Sequence, residues 1–332
     1  MASIQEVARE AGVSTATVSR VINNHPFVSD KSRQSVEKAI RKLNYEPNMM
    51  GRNLRTASTN MLLVLLPSIS NPFYSKILQG IQDTARRKGY YILVCETDAS
   101  SEIQSFFINT AKQQLAAGII SLDPSLDLED VLLPQLQDGY PIIQCGDSPQ
   151  NDSIPYVSID NTMAAYKAVK YLLATGHTQI ALITASDDFR YATARREGYA
   201  KALAESGIEL SEELISRGEV DYEGGRLAMQ KLLTLDQLPT AVFAIGDIMA
   251  IGALKAIREA GLHTPSDIAV IGFDNIPFSN MTTPTLTTVS QPMYDMGCSA
   301  AQMMIDKLNQ KEKTIKSLIL SHELMIREST EL

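Results

Sequence analysis

Two groups of residues have the types and spacing to do chemistry. The first lies in Gly12-Val13-Ser14-Thr15-Ala16-Thr17-Val18-Ser19-Arg20-Val21-Ile22-Asn23-Asn24. On a helix beginning at Thr15 and capped by Ser14, the small residues Thr15, Ala16 and Ser19 face outward beside the guanidinium of Arg20. Such a surface can enter a nucleic-acid groove, where an arginine can contact guanine O6 and N7 together. A plain helical hairpin with solvated hydroxyls would show the same local pattern.

The second group falls just after apolar, strand-like runs: Ser68 to Tyr74, Asp147, Asp160, Asp187 to Arg195, Asp247 and Asp274. Carboxylates accept from hydroxyls or ring N–H groups, and Arg195 offers forked donors to hydroxyl or carbonyl oxygens. Phe73 or Tyr74 can stack on a sugar or base face. Each residue alone is more often a helix cap or loop residue. As a set on one rim they would form a polar, partly aromatic pocket. Catalytic signatures are missing: there is no P-loop, no Gly-x-Gly-x-x-Gly after the first strand, no Gly-x-Ser-x-Gly elbow and no H-E-x-x-H. His25, His177, His263 and His322 are scattered. The expectation is a protein without catalysis, cofactor or metal.

The first group needs a small helical scaffold. Ile4, Val7, Ala8 and Ala11 recur at i, i+3, i+4 and i+7, which gathers them on one helical face. Gly12 suits a sharp turn. Val13, Val18 and Ile22 are expected to face inward from the next helix. Ser29 or Asp30 can cap a third helix from about Lys31 to Leu43, with Val36, Ala39, Ile40 and Leu43 inward. Two short helices joined by a Gly-containing turn form a helix-turn-helix pattern. Residues 48–55 suit a brief helix too short to be stable alone, or a plain linker.

From Met61 the pattern becomes strand–helix alternation. Met61–Leu66, Tyr90–Cys95, Gly118–Leu122, Pro141–Cys145 and Tyr156–Ile159 read as strands, with helices over Tyr74–Arg87, Ile103–Gln114 and Val131–Gln137 between them. After Asp160 the alternation restarts. Strands at Ile180–Thr184, Ala241–Ala244 and Ala269–Phe273 interleave with helices at Thr193–Ser206, Gly224–Leu233 and Ile248–Ala260. This predicts two doubly wound parallel-sheet units with helices on both faces, and a ligand cleft at the carboxyl ends of their strands.

Composition agrees with a soluble, two-part protein. The 332 residues are 44% hydrophobic and 20% charged, with net charge −8. Residues 1–60 carry +4 and the remainder −12, so a basic head is joined to an acidic body. No apolar run reaches membrane-spanning length, and no basic-then-apolar leader is visible, which predicts a cytoplasmic protein with no membrane partner. Cys95, Cys145 and Cys298 are far apart and lie in or beside apolar stretches, as buried free thiols do.

Longer stretches now carry a resemblance. Ile4-Gln5-Glu6-Val7-Ala8, the Gly12–Asn23 block, Val28-Ser29 and Leu43-Asn44-Tyr45-Glu46-Pro47-Asn48 resemble the headpiece of the LacI/GalR family of bacterial transcription regulators. Gly51-Arg52-Asn53-Leu54-Arg55 is similar to that family's hinge helix. The body resembles the family through Asn71-Pro72-Phe73-Tyr74, Ile159-Asp160-Asn161, Arg195-Arg196-Glu197-Gly198-Tyr199, Asp247-Ile248-Met249-Ala250 and Gly272-Phe273-Asp274-Asn275. Gly12–Arg20 and Glu323–Thr330 are similar to the cytidine-responsive branch without being distinctive of it.

The resemblance implies an all-α helix-turn-helix headpiece over residues 1–47, a hinge helix and linker over 48–60, and an α/β core of the type I periplasmic-binding-protein fold over 61–332. The core would comprise an N-subdomain of about 61–161 and 291–321, and a C-subdomain of about 162–290 and 322–332. DNA contacts are implied for Thr15, Ala16, Thr17, Arg20, Asn23 and Tyr45. In the hinge, Arg52 and Arg55 would meet phosphates and Leu54 would wedge into the minor groove. Effector contacts are implied for Phe73, Tyr74, Asp160, Arg195, Asp247 and Asp274. Val220 departs from the pattern, standing where several relatives place an aromatic over the ligand. The partners implied are a pseudo-palindromic operator, a second copy of the chain as homodimer, and a sugar, sugar phosphate or nucleoside. The alternative, a solute-binding protein with no role on DNA, fits neither the basic head nor the missing leader.

Overall fold

The structure is a computed structural model that describes residues 2–22, 25, 27–45, 59–125, 139–149, 154–310 and 316–331. Asn23, the expected hinge with Arg52, Leu54 and Arg55, and the expected Val131–Gln137 helix lie outside the described residues. The chain divides into two compact units, Met1–Ser58 and Thr59–Leu332.

The first unit holds helices α1 (Ile4–Ala11), α2 (Thr15–Ile22) and α3 (Asp30–Leu43). A reciprocal cap starts α1: Ser3 Oγ accepts the Glu6 N–H at 3.3 Å, and the Ser3 N–H donates to Glu6 Oε2 at 2.7 Å. This arrangement satisfies two amide donors that a helix start leaves open. Gly12 ends α1 at φ 65°, a left-handed conformation that costs glycine nothing. Val7, Ala8, Ala11, Val18, Val21, Val36 and Ala39 form the buried core. From α2 the inward pair is thus Val18 and Val21, while Ile22 is half-buried at the edge. An i, i+3 stripe fits the narrow contact of a two-turn helix better than the i, i+4 stripe expected from the sequence.

The second unit contains two six-stranded sheets. One is built from β1 (Met61–Leu66), β2 (Tyr91–Glu96), β3 (Gly118–Ser121), β4 (Ile142–Cys145), β5 (Tyr156–Ile159) and a late strand, β11 (Leu318–Leu320). Its order is β11-β5-β4-β3-β1-β2, parallel throughout. The other contains β6 (Ile180–Thr184), β7 (Ile215–Arg217), β8 (Ala241–Ala244), β9 (Ala269–Asp274), β10 (Thr287–Ser290) and β12 (Glu323–Met325). It runs β12-β10-β9-β8-β6-β7, with β12 antiparallel. Central strands such as β3, β4 and β8 are buried at every position, as strands covered on both faces must be.

Helices α4 (Pro72–Arg87), α5 (Ser101–Thr110), α6 (Asn161–Ala174), α7 (Arg190–Glu205), α8 (Tyr222–Leu232), α9 (Asp247–Glu259) and α10 (Met293–Leu308) accompany these strands. The chain changes lobe after β5, where α6 enters the core of the second sheet, after β10, where α10 returns to the first, and between β11 and β12. Several helices begin one to three residues earlier than the sequence periodicity predicts, and in α7 and α8 an aspartate accounts for the early start. Helix α7 starts at Arg190 because its first turn rests on Asp147, whose Oδ2 accepts the Tyr191 N–H at 3.1 Å. Helix α8 starts at Tyr222 because Asp221 Oδ1 accepts the Gly224 N–H at 2.6 Å. Helices α4 and α10 pack so closely that a Cβ on Gly80 would overlap the carbonyl oxygen of Tyr294. No described helix is long and apolar enough to cross a membrane.

Candidate functional site

In the first unit, Thr15, Ala16 and Arg20 lie exposed on α2. Thr17 is half-buried; its hydroxyl lies 3.0 Å from Ser14 Oγ, which also accepts the Thr17 N–H at 3.2 Å. Thr17 therefore belongs to the cap that sets the start of the helix. Tyr45 is half-buried against the three-helix core, and its N–H donates to the Ile40 carbonyl at 3.0 Å. What α2 offers outward is a short, small-sided start followed by one long cation.

In the second unit, a cavity of about 50 Å³ lies between the sheets at the carboxyl ends of their strands. The first lobe supplies Asn71, Phe73 and Tyr74 from the start of α4, Leu122 and Pro124 after β3, and Gly146 and Asp147 after β4. The second lobe supplies Tyr191 and Arg195 from α7, Val220, Ile245 and Gly246 after β8, and Asp274 at the end of β9. Of the effector residues expected from the sequence, Phe73, Tyr74, Arg195 and Asp274 meet here.

Arg195 is the centre of the polar wall and is 4% exposed. Its Nε donates to Asn161 Oδ1 at 2.9 Å, and Nη1 donates to the carbonyl of Ile245. The guanidinium also lies over the Phe273 ring, 3.5 Å from its centroid, and 5.0 Å from that of Tyr191. Asp274 Oδ1 lies 3.8 Å from Nη1 and accepts from Gln291 Nε2 at 2.7 Å. Burial raises the Asp274 carboxyl to about 6, with Arg195 and Gln291 pulling the other way. Asp274 adopts φ 109°, a region non-glycine residues rarely occupy and one that recurs at ligand-holding sites.

Asp147 faces Arg195 from the other lobe. Burial raises its carboxyl too, against the two amides it accepts, from Ser148 at 2.8 Å and from Tyr191. Phe73 and Tyr74 meet edge to face at 5.2 Å, and burial lifts the Tyr74 phenol well above its ordinary range. Behind Leu122 and Pro124, the buried Asp123 carboxylate accepts from the Thr97 hydroxyl, from Gln104 Nε2 at 2.9 Å and from the Ser125 amide at 2.9 Å. This satisfied network holds that wall in place.

Asp160 and Asp247 do not line the cavity. Asp160 is exposed and caps α6 by accepting the Met163 N–H at 2.8 Å. Asp247 is fully buried one layer down, accepting from the Ile276 N–H at 2.9 Å and the Thr288 hydroxyl. Both follow strands, as the ligand contacts do, and the local sequence carries no sign that one caps and the other braces. The sequence pattern does not single out the wall residues Leu122, Pro124, Ile245 and Gly246, nor Gln291, and it shows Asn161 only inside the family-like Ile159-Asp160-Asn161 with no sign that it holds the ion pair. The first four directly follow β3 and β8, so the strand-end rule applied to apolar residues would have reached them.

The comparisons agree along the whole chain. Residues 3–48 match the model of bacterial regulatory proteins of the lacI family. Residues 59–328 match that of the periplasmic binding proteins and sugar binding domain of the LacI family. The HTH-type transcriptional repressor CytR of Escherichia coli K12 is 37% identical over 329 residues, covering 99% of this chain and 96% of the relative. A solved complex of the transcriptional regulator CelR with cellobiose is 32% identical with a TM-score of 0.75, covering 99% of this chain and 100% of that one. The lac repressor dimer bound to operator and the anti-inducer ONPF is 28% identical with a TM-score of 0.89, with 99% of both chains covered. The chain belongs to the LacI family and is a DNA-binding transcriptional regulator with an effector-binding core.

Proposed function

We propose that this regulator is a cytoplasmic repressor that grips a pseudo-palindromic operator as a homodimer and changes its grip when a small polar effector enters the cleft. The effector class supported is a sugar, a sugar phosphate or a nucleoside. The observation that carries the reading is the cavity itself, since both lobes contribute to it and an arginine–aspartate pair is buried in its wall.

Thr15, Ala16 and Arg20 are the base-reading surface, with Arg20 as the bidentate guanine reader. Thr17 and Tyr45 shape that surface. Asn23 makes a further DNA contact, and Arg52, Arg55 and Leu54 take the phosphate and minor-groove roles that the resemblance implies. Phe73, Tyr74, Arg195 and Asp274 contact the effector, with Asp147 of the first lobe and Tyr191 of the second beside them. Asp160 and Asp247 support the site from outside the cavity.

Coupling follows from volume. A cavity of about 50 Å³ holds a few water molecules, far less than the several hundred Å³ of a usual ligand pocket. An effector therefore requires the lobes, or the side chains between them, to shift. The free-energy difference between its binding to the two arrangements is what it can transmit to DNA, and DNA must return the same coupling to the effector. CelR was solved with cellobiose, which supports a carbohydrate-sized ligand in this fold. The lac repressor dimer was solved on its operator, which supports two heads on paired half-sites.

The test joins two measurements on the full chain. A thermal-shift screen of sugars, sugar phosphates and nucleosides identifies a ligand, and anisotropy with a selected operator measures DNA affinity with and without it. A ligand that raises the melting temperature and changes operator affinity supports the reading. A ligand that binds without changing DNA affinity sinks it, as does a monomer by sedimentation on operator DNA.

A further inference from the structure

The charge balance of the cleft narrows its ligand; the argument rests on the cleft being the effector site. Three ionisable acid–base side chains approach the cavity besides the two tyrosines: Asp147 from one lobe, Arg195 and Asp274 from the other. Two carboxylates thus stand against one guanidinium. That guanidinium is already committed to Asn161, to the Ile245 carbonyl, to the face of Phe273 and to Asp274 itself. A phosphate reaching for it would compete with Asp274 for the same cation.

The positive ends of three helices also converge here, a setting that ordinarily favours an anion. The chain has placed its own groups at each. Asn71 Oδ1 accepts the Phe73 N–H of α4 at 3.0 Å. Asp147 Oδ2 accepts the Tyr191 N–H of α7. At α9 the chain places a carboxylate without a cap bond: Asp247 lies fully buried in the first turn and accepts instead from Ile276 and Thr288. At the α7 entrance Arg190 donates to the Pro149 carbonyl at 2.7 Å, reaching across to the other lobe.

We infer that the cleft selects an uncharged, hydroxyl-rich ligand, a free sugar or an unphosphorylated nucleoside, and rejects the phosphorylated form of the same molecule. Asp147 and Asp274 accept from ligand hydroxyls, and neither can donate while ionised. Leu122, Pro124, Val220 and Ile245 supply apolar surface for a ring face. A phosphate dianion would be stripped of water beside two carboxylates, with no free cation among the described lining residues to offset the cost.

The experiment uses matched pairs on the full-length protein: ribose and ribose 5-phosphate, glucose and glucose 6-phosphate, cytidine and cytidine 5′-monophosphate. Affinity is read by thermal shift and confirmed by calorimetry. The expected result is a pair whose uncharged member binds and whose phosphorylated member binds at least about tenfold more weakly. Asp147→Asn should narrow that gap by removing one of the opposing charges. A phosphorylated member that binds as well as its partner, or better, overturns the inference while leaving the cleft as the effector site. A gap unchanged by both Asp147→Asn and Asp274→Asn overturns it too, because the selection then has another origin. Silence from every member of every pair defeats the effector-site reading, and the inference falls with it.

Discussion

Arg195 and Asp274 form an ion pair whose side chains are 5% and 14% exposed, with Nη1 3.8 Å from Oδ1. That separation is at the long end for an ion pair, and each partner has shorter hydrogen bonds elsewhere: Arg195 to Asn161 and Asp274 to Gln291. Burial disfavours charge on both, and each draws the other back toward its charged form. A ligand hydroxyl placed between them can accept from the guanidinium and donate to the carboxylate at once. Their fixed positions preorganise the pair for that bridge.

Removing the cation leaves a buried carboxylate exposed to its desolvation cost. Arg195→Ala is expected to lower the stability of the second unit by about 3–5 kcal/mol and to abolish the effector response. Operator binding should persist at temperatures where the protein stays folded. Urea titration and anisotropy measure the two effects, and an unchanged ligand affinity would remove Arg195 from the site.

Asp274 makes a signed prediction about pH. Its folded carboxyl stands at about 6 against an ordinary 3.8, so between those values the native state keeps a proton that the unfolded chain has released. The stabilisation is fully present below about pH 4 and is lost as pH rises to about 6, a change of at most about 3 kcal/mol. Ligand affinity should run the other way, falling as pH drops through about 6, because protonation removes the negative charge and leaves a weaker acceptor. Urea midpoints from pH 4 to 7 in the wild type and in Asp274→Asn decide this. Identical profiles would show that another group is responsible.

The α4–α10 contact predicts an unusually costly methyl group. Gly80→Ala drives a Cβ into the Tyr294 carbonyl, and backbone cannot rotate aside as a side chain can. The expected loss is about 1–3 kcal/mol or more. An alanine on the exposed face of the same helix, Gln79→Ala, is the control and should change stability by under about 0.5 kcal/mol. Equal chemical-denaturation midpoints for the two variants would mean that the helices can part at no cost.

On the head, Arg20→Ala should cost about 1–3 kcal/mol on the preferred operator and relax selection at one base pair. Binding to randomised half-sites reads this directly. A uniform loss on all sequences, with a shallower salt dependence, would instead make Arg20 a phosphate contact.

Much of this architecture was legible because buried parallel strands and amphipathic helices leave strong periodic marks. Met61–Leu66 could hardly be anything but a covered strand, and Val7, Ala8 and Ala11 could hardly face water. Strands β11 and β12 carried no such mark. Each has three residues, largely exposed or half-buried, and each exists because β5 or β10, far away in sequence, offers a ladder to join. The cleft was legible for the same kind of reason and obscure for the same kind of reason. Arg195 and Asp274 could be placed by position after a strand and by resemblance. Asp160 and Asp247 share that position, and only the partners brought by the fold turn one into a cap and the other into a brace.

The late strand β11 also matters while the chain is being made. β5 ends at Ile159, but its outer neighbour does not exist until Leu320 has been synthesised, and α10, which covers part of the same lobe, comes scarcely earlier. At about 5–20 residues per second, the first lobe waits on the order of ten seconds with one strand edge unpaired and part of its apolar face uncovered. An open edge of that kind is a template for pairing with another chain. Crowding of nascent chains on one messenger, more than the stability of the finished fold, is then the hazard this topology has to survive.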